Sequence, residues 1–70
     1  MTREEFRDTA QPVLVTVDGQ TGLALPREFK TGSFGFAHSE KVWIVINGKP
    51  VYCQVGVNII VIGSAAMSGG

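Results

Sequence analysis

The sequence has little of the chemistry that usually stabilises a very small domain. Cys53 is the only cysteine among 70 residues, so no disulfide can form within the chain. His38 is the only histidine, and a structural zinc site needs about four ligands. At this length a single hydrophobic core supplies only about 3–5 kcal/mol of stability. We therefore expect one domain, stabilised by unusually good packing or by association with further copies of itself.

The chain also lacks an excess of charge of either sign. Six basic and six acidic residues give a formal net charge of zero. Proteins that coat nucleic acid without sequence preference carry a clear positive excess, so the composition argues against a histone-like role. Hydrophobic residues make up 44% of the chain and charged residues 17%. That balance is typical of a folded protein and excludes disorder of the whole chain.

No long hydrophobic run and no secretory signal are visible. A membrane-spanning helix needs roughly 18 consecutive apolar residues, and no stretch of the chain reaches that length. The first five residues are polar and acidic, unlike the start of a secretory signal. A lone thiol suits a reducing compartment. The expectation is a cytoplasmic protein that does not engage a membrane.

The sequence divides into three segments. Thr2 and Glu5 have the spacing of a capping box, which predicts an arm or a short helix over residues 1–11. Alternating apolar residues begin after Pro12 and predict a β domain over residues 12–63. Residues 64–70 are small except for Met67 and predict a flexible tail.

About five strands are expected in the β domain. A turn at 19–22, a loop at 26–33, a four-residue loop at 38–41 and a two-residue turn at 47–48 separate them, and the last strand runs from about 49 to 62. That strand is long for one flat sheet, and Gly56 at its middle favours a bulge or a barrel corner. The predicted fold is therefore all-β: a small five-stranded barrel or a strongly curled antiparallel sheet, with the N-terminal helix as an optional addition.

The strongest local signal is a hairpin at Asn47-Gly48, a dipeptide typical of two-residue turns. Such a turn pairs Ile46 with Lys49 and Trp43 with Tyr52. One face of the hairpin then holds only apolar side chains, those of Val42, Ile44, Val51, Cys53 and Val55. The other face holds Lys41, Trp43, Val45, Pro50, Tyr52 and Gln54. Both faces are apolar enough to need cover, so the pattern leaves open which of them is the interior.

An aromatic row is the first candidate binding site. With a loop at 38–41, Phe36 pairs with Trp43, and these two form one row with Tyr52, beside Phe34. Aromatic rows flanked by cations stack the bases of single-stranded nucleic acid, at about 1–3 kcal/mol per base. The cations that would neutralise phosphates are Arg27, Lys30, Lys41 and Lys49. Alternatively, the aromatics form a core or a subunit interface, and a one-residue slip of the loop would move both phenylalanines to the opposite face.

A glycine-rich stretch over residues 30–35 is the second candidate. Gly32 and Ser33 lie at its centre, where closely spaced backbone N–H groups could hold a phosphate and Lys30 would add charge. No Walker pattern is present. The glycines suit a turn and a bulge equally well, so both interpretations stay open.

Catalytic candidates are few. His38-Ser39-Glu40 is the only place where an imidazole lies near a carboxylate, and neighbours in a loop seldom reach catalytic geometry. We expect His38 to be a solvated loop residue and the protein not to be an enzyme. Cys53 is expected to act as a small buried apolar residue, and no metal or cofactor is predicted.

Together these features predict a non-enzymatic, homo-oligomeric β binding module. Its ligand would carry phosphate, as a nucleotide or single-stranded nucleic acid, and would bind the aromatic strand face. The alternative is a structural or protein-interaction oligomer in which that face lies between subunits. Another copy of the chain is the first expected partner in either case.

Overall fold

A computed structural model describes residues 1–66 as one helix followed by a four-stranded antiparallel sheet. The helix α1 spans Arg3–Thr9. The strands β1 to β4 span Val13–Val17, Gln20–Glu28, Phe34–Ile46 and Lys49–Ile60, and a short 3-10 helix follows at Ser64–Ala66. The strands lie in the sheet in the order in which they follow one another along the chain.

The all-β class and the antiparallel pairing are confirmed, but the five strands and the closed barrel are wrong. The predicted loop at 38–41 does not exist, because residues 34–46 form one continuous strand. Gly56 introduces no bulge, since β4 pairs with β3 in one unbroken register, from Ile60 opposite Gly35 to Lys49 opposite Ile46. Without a bulge, β4 stays in one sheet and no barrel closes.

Two tight turns set the register of the sheet. Asp18-Gly19 and Asn47-Gly48 have positive φ at both residues, which is the type I′ conformation that joins twisted strands through two residues. The second turn confirms the predicted pairing of the last hairpin. The first turn is shorter than predicted, because β2 already begins at residue 20.

Pro26 does not end β2 as expected, so the predicted loop at 26–33 shrinks to residues 29–33. β1 pairs with β2 only as far as Ala24. The missing N–H of Pro26 therefore breaks no hydrogen bond to β1, and the strand continues to Glu28 against β3.

The aromatic part of the core lies at the helix end of the sheet. Phe34 is fully buried, and its ring centroid lies 4.6 Å from that of Phe6 on α1. The ring of Phe36 approaches Phe6 edge-on, with centroids 5.4 Å apart. The apolar side chain of an otherwise polar helix thus fills the space between helix and sheet.

Polar contacts hold α1 in place. The predicted capping box is present, since the Thr2 hydroxyl accepts a hydrogen bond from the Glu5 N–H at 3.0 Å. Arg3 donates to the carbonyl of Gly32 at 2.6 Å. Arg7 donates to Glu28 at 2.7 Å, and this hydrogen bond, together with the attraction of the carboxylate, raises the pKa of the guanidinium. The N-terminal segment is therefore a docked helix and not a loose arm.

The folded region extends into the predicted tail. Ser64 is buried, and its hydroxyl accepts a hydrogen bond from the N–H of Phe34 at 2.9 Å. This contact supplies a partner for a buried backbone donor, which would otherwise destabilise the fold. The flexible tail was predicted from residue 64; Ser64–Ala66 form a short 3-10 helix, and the remainder, 67–70, lies outside the described residues.

The β1–β2 hairpin leaves the main sheet halfway along β2. β2 pairs with β1 over residues 20–24 and with β3 over residues 25–28. Beyond that point, His38 on β3 contacts the carbonyl of Leu23 at 3.0 Å, and the Gln20 amide donates to the carbonyl of Trp43 at 3.3 Å. The hairpin therefore covers one face of β3, where Val42 is only 1% exposed.

The protein is thin and extended. Its Cα atoms span 50 × 21 × 14 Å, and the radius of gyration is 15.2 Å, against about 11 Å for a compact domain of this length. Among residues 1–66, four apolar side chains are buried: Phe6, Ala24, Phe34 and Val42. So small a core is in keeping with the short chain, because small domains bury a smaller fraction of their surface on folding than large ones.

Candidate interaction face

The unbroken register divides the side chains of β3 and β4 between two faces. Val42 lies on the interior face, which α1 and the β1–β2 hairpin cover. The opposite face, called the exposed face below, carries at its hairpin end Lys41, Trp43, Val45, Pro50, Tyr52 and Gln54. The predicted division of this hairpin is confirmed, and the structure identifies the Val42 side as the interior.

Trp43 and Tyr52 are the centre of the exposed face. They lie directly opposite each other, with ring centroids 4.7 Å apart and ring planes inclined by 34°. Trp43 is 59% exposed and Tyr52 is 58% exposed, and Val45 beside them is exposed as well. Contiguous aromatic and aliphatic surface of this kind is typical of a contact site for a partner.

Lys41 is the only charged side chain that β3 and β4 place on the exposed face. The remaining residues of that face, at odd positions 35–45 and even positions 50–60, are uncharged. The neighbouring acid, Glu40, lies on the interior face, where it contacts His38. The exposed face therefore joins an apolar aromatic patch to one positive charge.

The predicted aromatic row does not form. Phe36 lies opposite Ile59 and not opposite Trp43. The two aromatics are seven positions apart on one strand, about 23 Å at roughly 3.3 Å per residue, and they face opposite sides. Phe34 and Phe36 pack against Phe6 instead, and both lie on the interior face. The error follows from the assumed loop at 38–41.

The predicted cations do not converge on Trp43 and Tyr52. Arg27 lies opposite Gly35, at the far end of the sheet, with its guanidinium 5.4 Å from the ring centroid of Phe29. Lys30 lies in the connection between β2 and β3, and Lys49 follows the second turn on the other side of β4. Lys41 alone shares the hairpin end of the exposed face with the two aromatics.

Gly32 and Ser33 form a tight turn in place of a phosphate loop. The N–H of Gly32 donates to the carbonyl of Phe29 at 3.0 Å, and the N–H of Phe29 donates to the carbonyl of Ser33 at 2.8 Å. Gly32 has φ of +92°, a conformation that favours glycine. Both donors are used inside the turn, so these N–H groups do not point at a ligand.

His38 is not the solvated residue that the sequence predicted. Its side chain is only 12% exposed, Nδ1 donates to the Leu23 carbonyl, and Nε2 contacts a carboxylate oxygen of Glu40. The two side chains are two residues apart on one strand, so they share a face, whereas Ser39 points the other way. The pair fastens the β1–β2 hairpin to β3.

Gly22 makes that contact possible, and sequence reasoning placed it only in a turn. A Cβ at this position would overlap the side chains of both His38 and Glu40. Sequence reasoning also did not identify Phe6 as a core residue. Its signal was visible, because it is the one large apolar side chain within Arg3–Thr9; for Gly22 no local signal existed.

The exposed face is the strongest candidate site on the part of the chain that the structure describes. In residues 1–66, no group of three His, Cys, Asp or Glu side chains could hold a metal ion, and Cys53 is half-buried on the interior side. No helix within these residues is long and apolar enough to cross a membrane. Neither a family model, nor a curated protein, nor a solved structure matches the chain.

Proposed function

We propose that this chain is a non-enzymatic, homo-oligomeric β module that binds protein, first another copy of itself, through the exposed face around Trp43 and Tyr52. The supporting observation is that both rings are more than half exposed on a domain with a very small core. A lone thiol suits a reducing compartment, so we propose that the module works in the cytoplasm.

The energy available from covering this face is large for so small a chain. Large aromatic side chains bury about 150–250 Å² each, so Trp43 and Tyr52 together leave on the order of 250 Å² open. At roughly 25 cal/mol per Å², covering that area contributes on the order of 6 kcal/mol per copy before the cost of association. This free energy of burial is at least as large as the stability of about 3–5 kcal/mol that the core of an isolated small domain supplies.

Replacing Trp43 by alanine is expected to dissociate the oligomer. The indole lies on the face opposite Val42, and the hydrogen bond from the β1–β2 hairpin reaches the backbone carbonyl of Trp43 and not its ring. Light scattering coupled to size-exclusion chromatography, over a series of protein concentrations, would show the oligomer in the unmodified chain and a smaller species in the variant.

Leu14→Ala is the matched control for that experiment. Leu14 is a large side chain, 71% exposed, on β1 and away from the proposed face. Its removal should leave the oligomer intact. An unmodified chain that stays monomeric at every concentration would contradict the proposed function.

A second use of the same face is supported by one observation, the position of Lys41. Lys41 lies two residues from Trp43 on the same side of β3, and no acidic side chain of β3 or β4 shares that face. A base could therefore stack on the aromatic pair while the ammonium group contacts a phosphate, as in binding of a nucleotide or single-stranded nucleic acid.

This second use predicts quenching of Trp43 fluorescence by a short oligothymidylate or by ADP. Lys41→Gln should weaken that binding and lower the slope of log affinity against log salt by about one. Lys49→Gln, on the other side of β4, should change neither quantity. If neither probe quenched the fluorescence, binding of a nucleotide or single-stranded nucleic acid would be excluded, and the proposed self-association would be unaffected.

A further inference from the structure

The outer edge of β4 is long and unprotected. β4 has twelve residues, pairs with β3 on one side, and meets no strand on the other side among residues 1–66. Proteins usually blunt such an edge with charges, bulges or short strands. From Val51 to Ile60, β4 has no charged side chain, and its register with β3 contains no bulge. An edge of this kind is suited to pairing with another strand.

We propose that this edge pairs with the β4 edge of a second copy, which joins two chains into one continuous antiparallel sheet. The inference rests on the homo-oligomeric function proposed above and specifies a different contact, through backbone groups and not through the exposed face. The occupant is a second copy because the edge is complementary to itself.

The direction of each backbone group on β4 follows from the turn at Asn47-Gly48. A two-residue turn makes Ile46 and Lys49 a hydrogen-bonded pair, and such pairs alternate along an antiparallel ladder. Odd-numbered residues of β4 therefore bond to β3, and even-numbered residues direct N–H and C=O outward. Pro50 fits this pattern, since its missing N–H would have pointed outward.

One two-fold register satisfies every outward group beyond Pro50. With Gly56 opposite Gly56 of the second copy, Gln54 faces Asn58, and Tyr52 faces Ile60. Five residues then exchange both backbone hydrogen bonds across the edge. They are Tyr52, Gln54, Gly56, Asn58 and Ile60.

The side chains agree with the same register. Gln54 and Asn58 place amide beside amide on the exposed face, and Val55 meets Val57 on the interior face, with no like charges opposed. A register with Val55 opposite Val55 would instead bring Pro50 opposite Ile60, whose carbonyl would then lack a donor. The Gly56 register therefore pairs every outward backbone group of β4 from Tyr52 to Ile60.

The pairing also extends the exposed face. The row formed by Trp43 and Tyr52 continues on to Ile60 of the second copy, which is itself 50% exposed. Two copies joined at the edge thus have one continuous exposed face, and the two-fold axis repeats this apolar row once at each end of it. The edge contact and the face contact are compatible, because they use different groups.

Cysteine cross-linking of the full chain tests the register. In a Cys53→Ser background, Gly56→Cys places the two new thiols on opposite residues about 5.5 Å apart at Cα, within disulfide range. A Cβ at residue 56 meets nothing within 4 Å, so the variant should fold. Asn58→Cys is the matched control: in the same register its two copies are offset by about 13 Å along the strand.

Mild oxidation should link Gly56→Cys at least ten times faster than Asn58→Cys. An oligomer whose two variants cross-link equally, or not at all, would overturn the edge pairing while the proposed self-association survives. A chain that is monomeric at every concentration would overturn both.

Residue-resolved amide hydrogen exchange on the unmodified chain provides a measurement without substitution. Edge pairing should slow exchange at both odd and even residues of β4 from residue 52 onward. Protection confined to the odd-numbered residues would show that the outward groups are bonded to water, and would contradict the proposal.

Discussion

Replacing Gly35 with alanine is expected to unfold most of the protein. A Cβ at this position would overlap the backbone carbonyl of Ile59 on β4 and crowd the Cα of Ile60. Backbone atoms cannot rotate away as a side chain can, so the strain should reach or exceed the upper end of the roughly 1–3 kcal/mol typical of overpacking. That is comparable with the whole stability of about 3–5 kcal/mol expected for a small core. Urea unfolding followed by circular dichroism would measure the loss.

Gly56→Ala is the control for this prediction. It makes the same chemical change on the neighbouring strand, where a Cβ meets nothing within 4 Å. Alanine should be neutral there or stabilise by about 0.4–1 kcal/mol, because it restricts the unfolded chain more than glycine does. Equal stability of the two variants would show that β3 and β4 do not approach each other closely at Gly35.

Replacing Phe34 with alanine is expected to cost about 3–5 kcal/mol, the range for a fully buried aromatic side chain. Phe34 is fully buried, lies against Phe6, and has the Arg3 guanidinium 5.3 Å from its ring centroid. Its removal leaves a cavity between α1 and the sheet. Thermal unfolding should therefore show no cooperative transition for Phe34→Ala.

Replacement by leucine keeps this prediction measurable, because these variants are expected to fold. A double-mutant cycle can be built from Phe34→Leu, Phe6→Leu and the double variant. The contact between the two rings should appear in it as a coupling free energy of about 1 kcal/mol. Phe29→Leu is the control, because Phe29 is only half-buried and lies in the turn after β2. A loss for Phe29→Leu as large as that for Phe34→Leu would contradict the placement of the core.

The last hairpin could be predicted from sequence because two independent local rules agree there. Asn47-Gly48 selects a two-residue turn, and the alternation on either side of it separates the same two sets of side chains. The pairing of Trp43 with Tyr52, and their position beside Lys41, followed from these rules alone. No knowledge of the rest of the chain was needed.

The continuation of β3 through residues 38–41 could not be predicted locally. His-Ser-Glu-Lys is polar and resembles a loop, yet His38 and Glu40 are held by contacts that reach the Leu23 carbonyl, fifteen residues away. The error carried over to the site, because the proposed pairing of Phe36 with Trp43 depended on that loop. Gly56 is a similar case, since glycine permits a bulge but does not require one.

The order of the strands has a consequence for how fast the chain folds. Each strand pairs with its neighbour in sequence, and two of the three connections between strands are two-residue turns. Hairpins close within about 1–10 μs, and topologies with such local pairing fold quickly. If β4 pairs with a second copy, the slow event is then the encounter of two chains. The rate at which the oligomer forms would rise with protein concentration, whereas the rate at which each chain folds would not depend on concentration.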